Sequence, residues 1–486
     1  MSITPAHRTP AAIPDDQVVE LMVEVPPGQV LRYDLAALVS AFDIDDPGRI
    51  AVETDGSRRA IVTIYPSNPL TTMPPPSEAD MLMDKLGRIV VGRYHNGRPA
   101  RRRLFDPRTG SAQRALVFGT TGAGKSRTVQ YLLACEKRNR IVSWYGDLKG
   151  GQSAPEAEGN VDWFATSQEE VILMLRAAVA IAQEARQPRY RAMGRNAFLI
   201  GDPDPLLSVR IDEANRLLEK GAPYREEGTY LVKELGRTGR SVGVGEELDA
   251  QASHLEELGG SDTLRAMLKE GEVTLLRWSS SMMRQLVADG LLPAGSQLMP
   301  IPKQLRPQIL RSQFAADADD DDDFCDTQGT AYLLSGPHPT SMMRHFRIGS
   351  ITPTPGLDPE ILALYGPDEP EHLEKASLDA AGEAYAARGT AAMADLCAAV
   401  KEEQAKKAAV VQAASGGRGP QRTEDRIRAV LAASDDPMTA DQVAAAVNAD
   451  GGKEVSLGTV RLRLGKLAEA GEDVVRVGHG LYAAVR

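Results

Sequence analysis

The stretch Gly119-Thr120-Thr121-Gly122-Ala123-Gly124-Lys125-Ser126 constrains this chain more than any other. It satisfies the pattern G-x-x-x-x-G-K-[ST] in full, and its flanks supply the context that the pattern needs. Ala115-Leu116-Val117-Phe118 before it is a short apolar run of buried-strand type, and Arg127 to Cys135 after it can run as a helix. Glycines let such a loop bend so that successive N–H groups point inward, at a helix start carrying partial positive charge. A loop of that kind cradles phosphates. Gly119, Thr120, Thr121, Gly122, Ala123, Gly124, Lys125, Ser126 and Arg127 are therefore the candidate nucleotide-binding set. In it Lys125 would reach the β- and γ-phosphates, and Ser126 would give its hydroxyl to Mg2+.

A phosphate loop implies an α/β core, and the chain is long enough for more than one domain. Its 486 residues predict two to four. Composition is that of a globular protein, 42% hydrophobic and 25% charged, and the net charge of -11 excludes a globally basic nucleic-acid binder. Any nucleic-acid contact must then come from local patches. Cys135, Cys325 and Cys397 are too few and too scattered for a disulfide framework or a metal cluster, which predicts a cytoplasmic setting. Met1 to Pro14 has no signal-peptide core, and no apolar run approaches the roughly 18–20 residues of a spanning helix. Membrane contact is expected only through partner proteins.

Taken in order, residues 1–88 read as a small α/β module. Val18 to Val25 predicts a strand, and Ile50 to Thr54 with Ala60 to Tyr65 predicts a hairpin around Asp55-Gly56. Residues 89–350 hold five apolar strand candidates separated by helical stretches: Ala115–Phe118, Ile141–Tyr145, Leu206–Ile211, Val242–Val244 and Val273–Trp278. That alternation predicts a parallel sheet with helices on both faces. Ser167 and Glu170 form a capping-box pair ahead of a buried helix over Val171 to Ala182. Asp317 to Asp323 reads as a solvated acidic loop, and Thr330–Leu334 with Arg344–Ile348 as a closing strand pair. Residues 351–420 carry an Ala/Glu/Lys-rich helix near Ala381–Ala414 and a flexible linker, Ser415 to Pro420.

The second half of the candidate chemistry is Leu207-Ser208-Val209-Arg210-Ile211-Asp212-Glu213, an apolar strand ending in two acids. Asp212 would hold the Mg2+ shell and Glu213 would polarise an attacking water. Together with Asp147-Leu148-Lys149-Gly150-Gly151, Ile211-Asp212-Glu213-Ala214-Asn215 and the GRTGRSVGV run at 236–244, the phosphate loop resembles the FtsK/SpoIIIE family of DNA-translocating ATPases. Within that family the chain looks most like the transfer proteins of conjugative plasmids and integrative elements in mycelial actinobacteria. The resemblance implies a RecA-like P-loop ATPase core, hydrolysis of ATP with Mg2+, and a homo-hexameric ring on double-stranded DNA. It implies an arginine finger at Arg240, with Arg237 as the alternative, acting on the neighbouring subunit. It also implies a γ-phosphate sensor at Gln251. Gly245-Glu246-Glu247-Leu248-Asp249-Ala250-Gln251 departs from the family, whose strand here is apolar. Two acids in a central strand are costly if buried. Either the strand is shorter or the acids face a cavity.

Residues 421–486 read as a C-terminal winged helix. Glu424–Ala433, Thr439–Val447 and Ser456–Ala470 predict three helices, and Asp473–Val477 with Leu481–Val485 predict a two-stranded wing. On the third helix Leu457, Val460, Leu464 and Leu467 share a core face. Thr459, Arg463 and Lys466 are placed on the opposite face as candidate DNA-binding residues. The function expected is ATP-driven transport of plasmid or element DNA between cells, loaded at specific repeats by the winged helix. The alternatives are a chromosome-segregation translocase, a secretion ATPase of the same superfamily, and a sequence-specific DNA-binding regulator with a vestigial nucleotide site.

Overall fold

The structure is a computed structural model describing residues 17–44, 46–55, 57–251, 259–278, 291–292, 298–305, 325–414, 423–434, 436–449, 455–470, 474–478 and 480–484. The acidic run 317–323 and the linker 415–420 lie outside them. The chain divides into two compact units, Met1–Lys401 and Glu402–Arg486.

In the first unit, β1 (Val19–Glu24), β2 (Ile50–Thr54) and β3 (Arg59–Ile64) form an antiparallel sheet in the order β1-β3-β2. The helix Leu35–Ala41, capped by the Asp34 side chain, joins β1 to β2. Ile50, Val52, Val62 and Ile64 of the inner face bury a small core with Val39 and Met299.

The main sheet has ten strands and is of mixed type. β4 (Arg88–Tyr94) and β5 (Pro99–Arg103) come first in sequence, followed by the short pair β6 (Phe105–Asp106) and β7 (Ser111–Ala112) outside it. Then come β8 (Arg114–Gly119), β9 (Val142–Asp147), β10 (Trp163–Ala165), β11 (Leu207–Asp212), β12 (Val244–Ala250) and β13 (Glu272–Leu276). The small bridge of β14 (Gln304–Leu305) with β15 (Cys325–Asp326) precedes β16 (Thr330–Leu333) and β17 (Met343–His345). The order is β10-β9-β11-β12-β8-β13-β16-β17-β4-β5. The half from β10 to β13 is parallel, and the half from β13 to β5 is antiparallel.

All six residues of β8 and of β9 are buried, as strands covered on both faces must be. Alternation along β8 divides the two cores. Leu116 and Phe118 join the core that holds Leu264 and Leu268 of the helix Asp262–Lys269 and the inner faces of the helices Gln168–Ala180 and Arg225–Thr238, whereas Val117 belongs with Val129, Leu132 and Leu133 of the helix Lys125–Arg138. The parallel half is thus a helix–sheet–helix sandwich with the phosphate loop at the carboxyl edge of a central strand.

Three expectations are corrected here. The fourth candidate strand does not lie at Val242–Val244: Val242 sits in a short 3-10 turn, and β12 runs from Val244 to Ala250. Gly243 between them has φ +72, and a Cβ there would come within 2.2 Å of the Phe198 ring, so the chain turns on a glycine before the strand begins. The strand is thus not shortened, and Glu246 and Glu247 instead line a small hollow of about 30 Å3 with Arg102 and Glu136. The Ser167 cap is present, with its side chain accepting from the Glu170 N–H at 3.2 Å. Glu170, however, accepts from the Thr166 N–H and the Trp163 indole instead of closing the box on Ser167. The indole holds that carboxylate because Trp163 is buried beside it.

After β17 the chain returns along the parallel half. The helix Pro359–Tyr365 packs on Lys125–Arg138, with the Tyr365 hydroxyl donating to Gln130 Oε1 at 2.8 Å. Beyond it, buried Asp162 gathers Trp144 Nε1 (2.8 Å), the Tyr385 hydroxyl (2.9 Å), His372 Nδ1 (2.7 Å) and Arg388 (2.9 Å), which ties the helix Leu378–Ala387 to the core.

The second unit contains the helices Thr423–Ala432, Ala440–Ala449 and Leu457–Ala470. β18 (Met438–Thr439), β19 (Val474–Gly478) and β20 (Leu481–Ala484) pair in the order β18-β20-β19. β18, only two residues long, has no signature in the sequence. Val460, Leu464 and Leu467 enter the core with Ile427, Leu431, Val443 and Val447, and Leu457 packs against it, as expected for that face.

Candidate nucleotide site

β8 delivers the chain to Gly119, and the loop then turns through Gly122 (φ +75) and Gly124 (φ +98), both in the left-handed region. At Gly124 a side chain is excluded twice over, since a Cβ would also come within 2.9 Å of the Gly329 nitrogen. The helix Lys125–Arg138 starts directly behind it and carries no side-chain cap, so the first-turn N–H groups of Lys125, Ser126 and Arg127 remain for a ligand. The loop fits a phosphate on that ground. Thr120 is tied down by its hydroxyl to the Arg277 carbonyl at 3.3 Å. Thr121 is exposed, and the Ala123 N–H donates to the Thr120 carbonyl at 3.0 Å.

The acids meet this loop from the next strands. β9, β11 and β12 all end at its level, bringing Asp147, Asp212 and Asp249 to the carboxyl edge. Lys125 Nζ lies 2.5 Å from Asp212 Oδ1 and 3.0 Å from Glu213 Oε1. Burial works against charge on this ammonium, but Asp212, Asp249 and Glu213 outweigh it and raise the lysine overall. Glu213 sits just past β11 at φ +54, a left-handed position for a non-glycine residue. That conformation points to a local constraint at a functional position. Burial works to raise its carboxyl, yet hydrogen bonds and charge from Lys149 and Lys125 bring it below the usual range. Lys149 Nζ is 2.7 Å from Glu213 Oε1, and Gln251 Nε2 donates to Oε2 at 2.9 Å.

Asp212 Oδ1 accepts from Lys125 and from the Glu213 N–H, whereas Oδ2 is buried with no hydrogen-bond partner. That orphaned oxygen and the Ser126 hydroxyl fit a divalent ion. Arg127 does not turn its side chain inward; it pairs with Asp358 at 3.2 Å, leaving only its backbone at the loop. Two hollows flank the helix start. One, about 440 Å3, is lined by Ser126, Lys149, Gln152 and Asp358, and the other, about 420 Å3, by Gly124, Arg127, Thr128 and the segment Gly349–Ile351.

Beneath the loop lies a buried charge network. Glu247 pairs with Arg102 and Arg210, and Arg210 pairs again with Glu136 at 2.8 Å. Burial raises the Glu247 carboxyl, but the two guanidinium groups bring it below the ordinary range. Asp249 is fully buried beside Glu247, and burial together with the Glu247 charge pushes it well above the carboxylate range. Glu246 is unpartnered and is pushed by burial up to about 8, with Arg114 opposing. One acid of the pair is thus satisfied by arginines, and the other is kept protonated.

Arg240 opens the turn before β12, at the amino edge of the sheet. It is a strand's length from its own phosphate loop, about 20 Å at roughly 3.3 Å per residue. It lies near Arg114, whose charge it disfavours, and it forms no ion pair among the described residues. Arg237 is exposed and pairs with Glu234 at 2.7 Å. In the second unit Thr459 and Lys466 are exposed. Arg463 does not project opposite the leucines. At helical spacing it flanks the core stripe, half-buried, and pairs with Glu424 of the helix Thr423–Ala432 at 2.7 Å, while Leu462 takes the opposite face at 60% exposure.

Three participants carry no motif of their own in the sequence. Lys149 was visible only as part of a family resemblance. Asp249 read as one acid in an anomalous strand. Arg277, at φ +30 after β13, donates to the Gly122 carbonyl at 2.8 Å and to Asp326 at 2.6 Å, clamping the loop from a strand whose sequence announces nothing. Among the described residues no cluster of His, Cys, Asp and Glu could hold a metal by itself, and no helix is long and apolar enough to cross a membrane.

No protein-family model matches the sequence. A search of curated proteins gives no match. Among solved structures, the fold is similar to the cytoplasmic domain of the Thermomonospora curvata type VII secretion ATPase EccC, at 20% identity and a TM-score of 0.42, over 60% of this chain and 32% of that one. It is similar to the pCW3 conjugation coupling protein TcpA, in a monomer form with ATPgS, at 14% identity and a TM-score of 0.41, over 68% and 85%. A third likeness is to EssC (ATPases 2 and 3) of Geobacillus thermodenitrificans, at 15% identity and a TM-score of 0.37, over 55% and 47%. The chain thus spans about a third of the EccC chain and about half of the EssC chain.

Proposed function

We propose that this chain is an ATPase of the FtsK/SpoIIIE type that drives double-stranded DNA through a homo-hexameric ring during transfer of a plasmid or integrative element. In this reading residues 89–350 are a RecA-like motor and residues 421–486 a winged helix that loads it on specific repeats. The observation that carries the reading is the convergence of Lys125, Asp212 and Glu213 at an uncapped helix start.

The residues divide the work. The loop N–H groups and Lys125 bind and orient the phosphates. Mg2+ supplies charge neutralisation on the phosphate oxygens, and Ser126 with Asp212 would hold it. Glu213 takes up the proton of the attacking water at its carboxylate. Gln251, whose amide donates to Glu213, would link that carboxylate to the terminal phosphate. Without nucleotide the acids neutralise Lys125, and with it the phosphates take over that ammonium. Arg240, too far from its own loop, fits action on a neighbour.

The test is hydrolysis by the purified chain with and without long duplex DNA. Wild type should hydrolyse ATP and be stimulated by duplex. Lys125→Ala should lose hydrolysis altogether while the C-terminal unit still binds DNA. Hydrolysis at the wild-type rate in that variant would overturn the assignment, and hydrolysis indifferent to DNA would remove the translocase part of it.

A further inference from the structure

We propose that Lys149 is a positioning residue that restrains Glu213, keeping hydrolysis slow until the Lys149–Glu213 pair opens. The inference rests on the ATPase reading above and assigns a regulatory contact within the same site.

Both carboxylate oxygens of Glu213 are engaged, and Oε1 is engaged twice. Oε2 takes the Gln251 amide at 2.9 Å, and Oε1 takes both Lys125 at 3.0 Å and Lys149 at 2.7 Å. Lys125 has a second place to go, because its ammonium belongs to the phosphates once nucleotide is bound. Gln251 is neutral and grips the other oxygen. Among the described residues Lys149 is then the cation left on Glu213, and the shorter of the two contacts is its own. With two ammonium groups on it, Oε1 has no place for a water's proton, so the Lys149 contact must open before that oxygen can act as the base.

The loop that carries Lys149 is anchored at its base, so release of Glu213 falls to the Lys149 side chain. Asp147, at the end of β9, anchors it by accepting from the Lys149 N–H at 2.9 Å and the Ser153 N–H at 2.7 Å. Arg216, three residues beyond Glu213, donates to the Leu148 carbonyl at 3.0 Å and so links the loop to the segment behind the base. Past Lys149 come Gly150 (φ +73) and Gly151 (φ +85), and a Cβ at Gly150 would meet nothing within 4 Å. The Lys149 side chain is 33% exposed and lines the 440 Å3 hollow beside Ser126. Its ammonium therefore reaches a buried carboxylate from a solvent-facing loop, which is the arrangement of a releasable contact.

The experiment measures steady-state hydrolysis and nucleotide affinity in Lys149→Met and Lys149→Arg. Lys149→Met, which keeps the aliphatic stem, should raise the DNA-free kcat by about fivefold, the factor that a partly exposed ion pair can supply. Its affinity for a non-hydrolysable ATP analogue should match wild type, and duplex DNA should stimulate it less. Lys149→Arg, with a cation still in reach, should bring the DNA-free rate back down toward wild type. A DNA-free kcat that is unchanged or lower in Lys149→Met, or weakened binding of the analogue, overturns the proposal and makes Lys149 a bystander or a phosphate contact. Lys125→Ala run alongside separates the two levels: wild-type hydrolysis there defeats the ATPase reading itself, whereas its loss together with an unaccelerated Lys149→Met defeats only the restraint.

Discussion

Glu246 shows how far a single side chain can depart from its usual chemistry. It is buried in a central strand without a hydrogen-bond partner, and burial pushes its carboxyl up to about 8 while Arg114 opposes. A raised acid stabilises the fold fully below its ordinary value, 4.5, and loses that contribution as pH rises through the folded value. Stability should therefore decline between about pH 4.5 and 8 and level off above. Each tenfold difference in proton affinity between the folded and unfolded chain is worth about 1.4 kcal/mol, so the decline can reach about 5 kcal/mol. Glu246→Gln should flatten that slope and raise the melting temperature at pH 8, as thermal denaturation across pH would show. A slope unchanged in the variant would assign the dependence to other groups.

Strand β12 makes the same point one level up. A central strand of sequence VGEELDA survives because neighbouring elements bring the countercharges: Arg210 from β11 and Arg102 from β5 both reach Glu247, and Glu136 from the phosphate-loop helix completes the set. Two cations then face two anions, and beside them burial and the Glu247 charge push the Asp249 carboxyl well above the carboxylate range. Breaking a buried pair strands the remaining charge, which typically costs about 3–5 kcal/mol. Glu247→Gln should lose stability on that scale in urea denaturation. A loss under about 1 kcal/mol would mean that water or another carboxylate reaches Arg102 and Arg210.

On the scale of the whole molecule, the sheet separates Arg240 from its own phosphate loop. The two sit at opposite ends of the parallel strands. If Arg240 completes the site of the next subunit, Arg240→Ala should bind nucleotide normally yet fail to hydrolyse it. Mixing it with Lys125→Ala should recover part of the activity, because some interfaces then join an intact arginine to an intact loop. Absence of recovery at every ratio, in assemblies shown to be mixed, would rule out action across the interface.

Much of the architecture is legible in the sequence because it is local. The strand–loop–helix around Lys125, the apolar strand ending at Asp212, the capped helix after Ser167 and the leucine face of 457–467 each follow from residues within a turn or two of one another. What sequence could not supply is long-range pairing. Lys125 and Asp212 are 87 residues apart and Arg102 and Glu247 are 145 apart. No spacing rule says which of many arginines will reach a buried acid. The same holds for Arg463, whose partner Glu424 is 39 residues away, and for Lys149 on Glu213. The chain by itself determined that a phosphate loop would follow one buried strand and that another would end in two acids. Only the tertiary structure decided which charges neutralise which, since a charge taken out of water is set by whatever the fold packs against it.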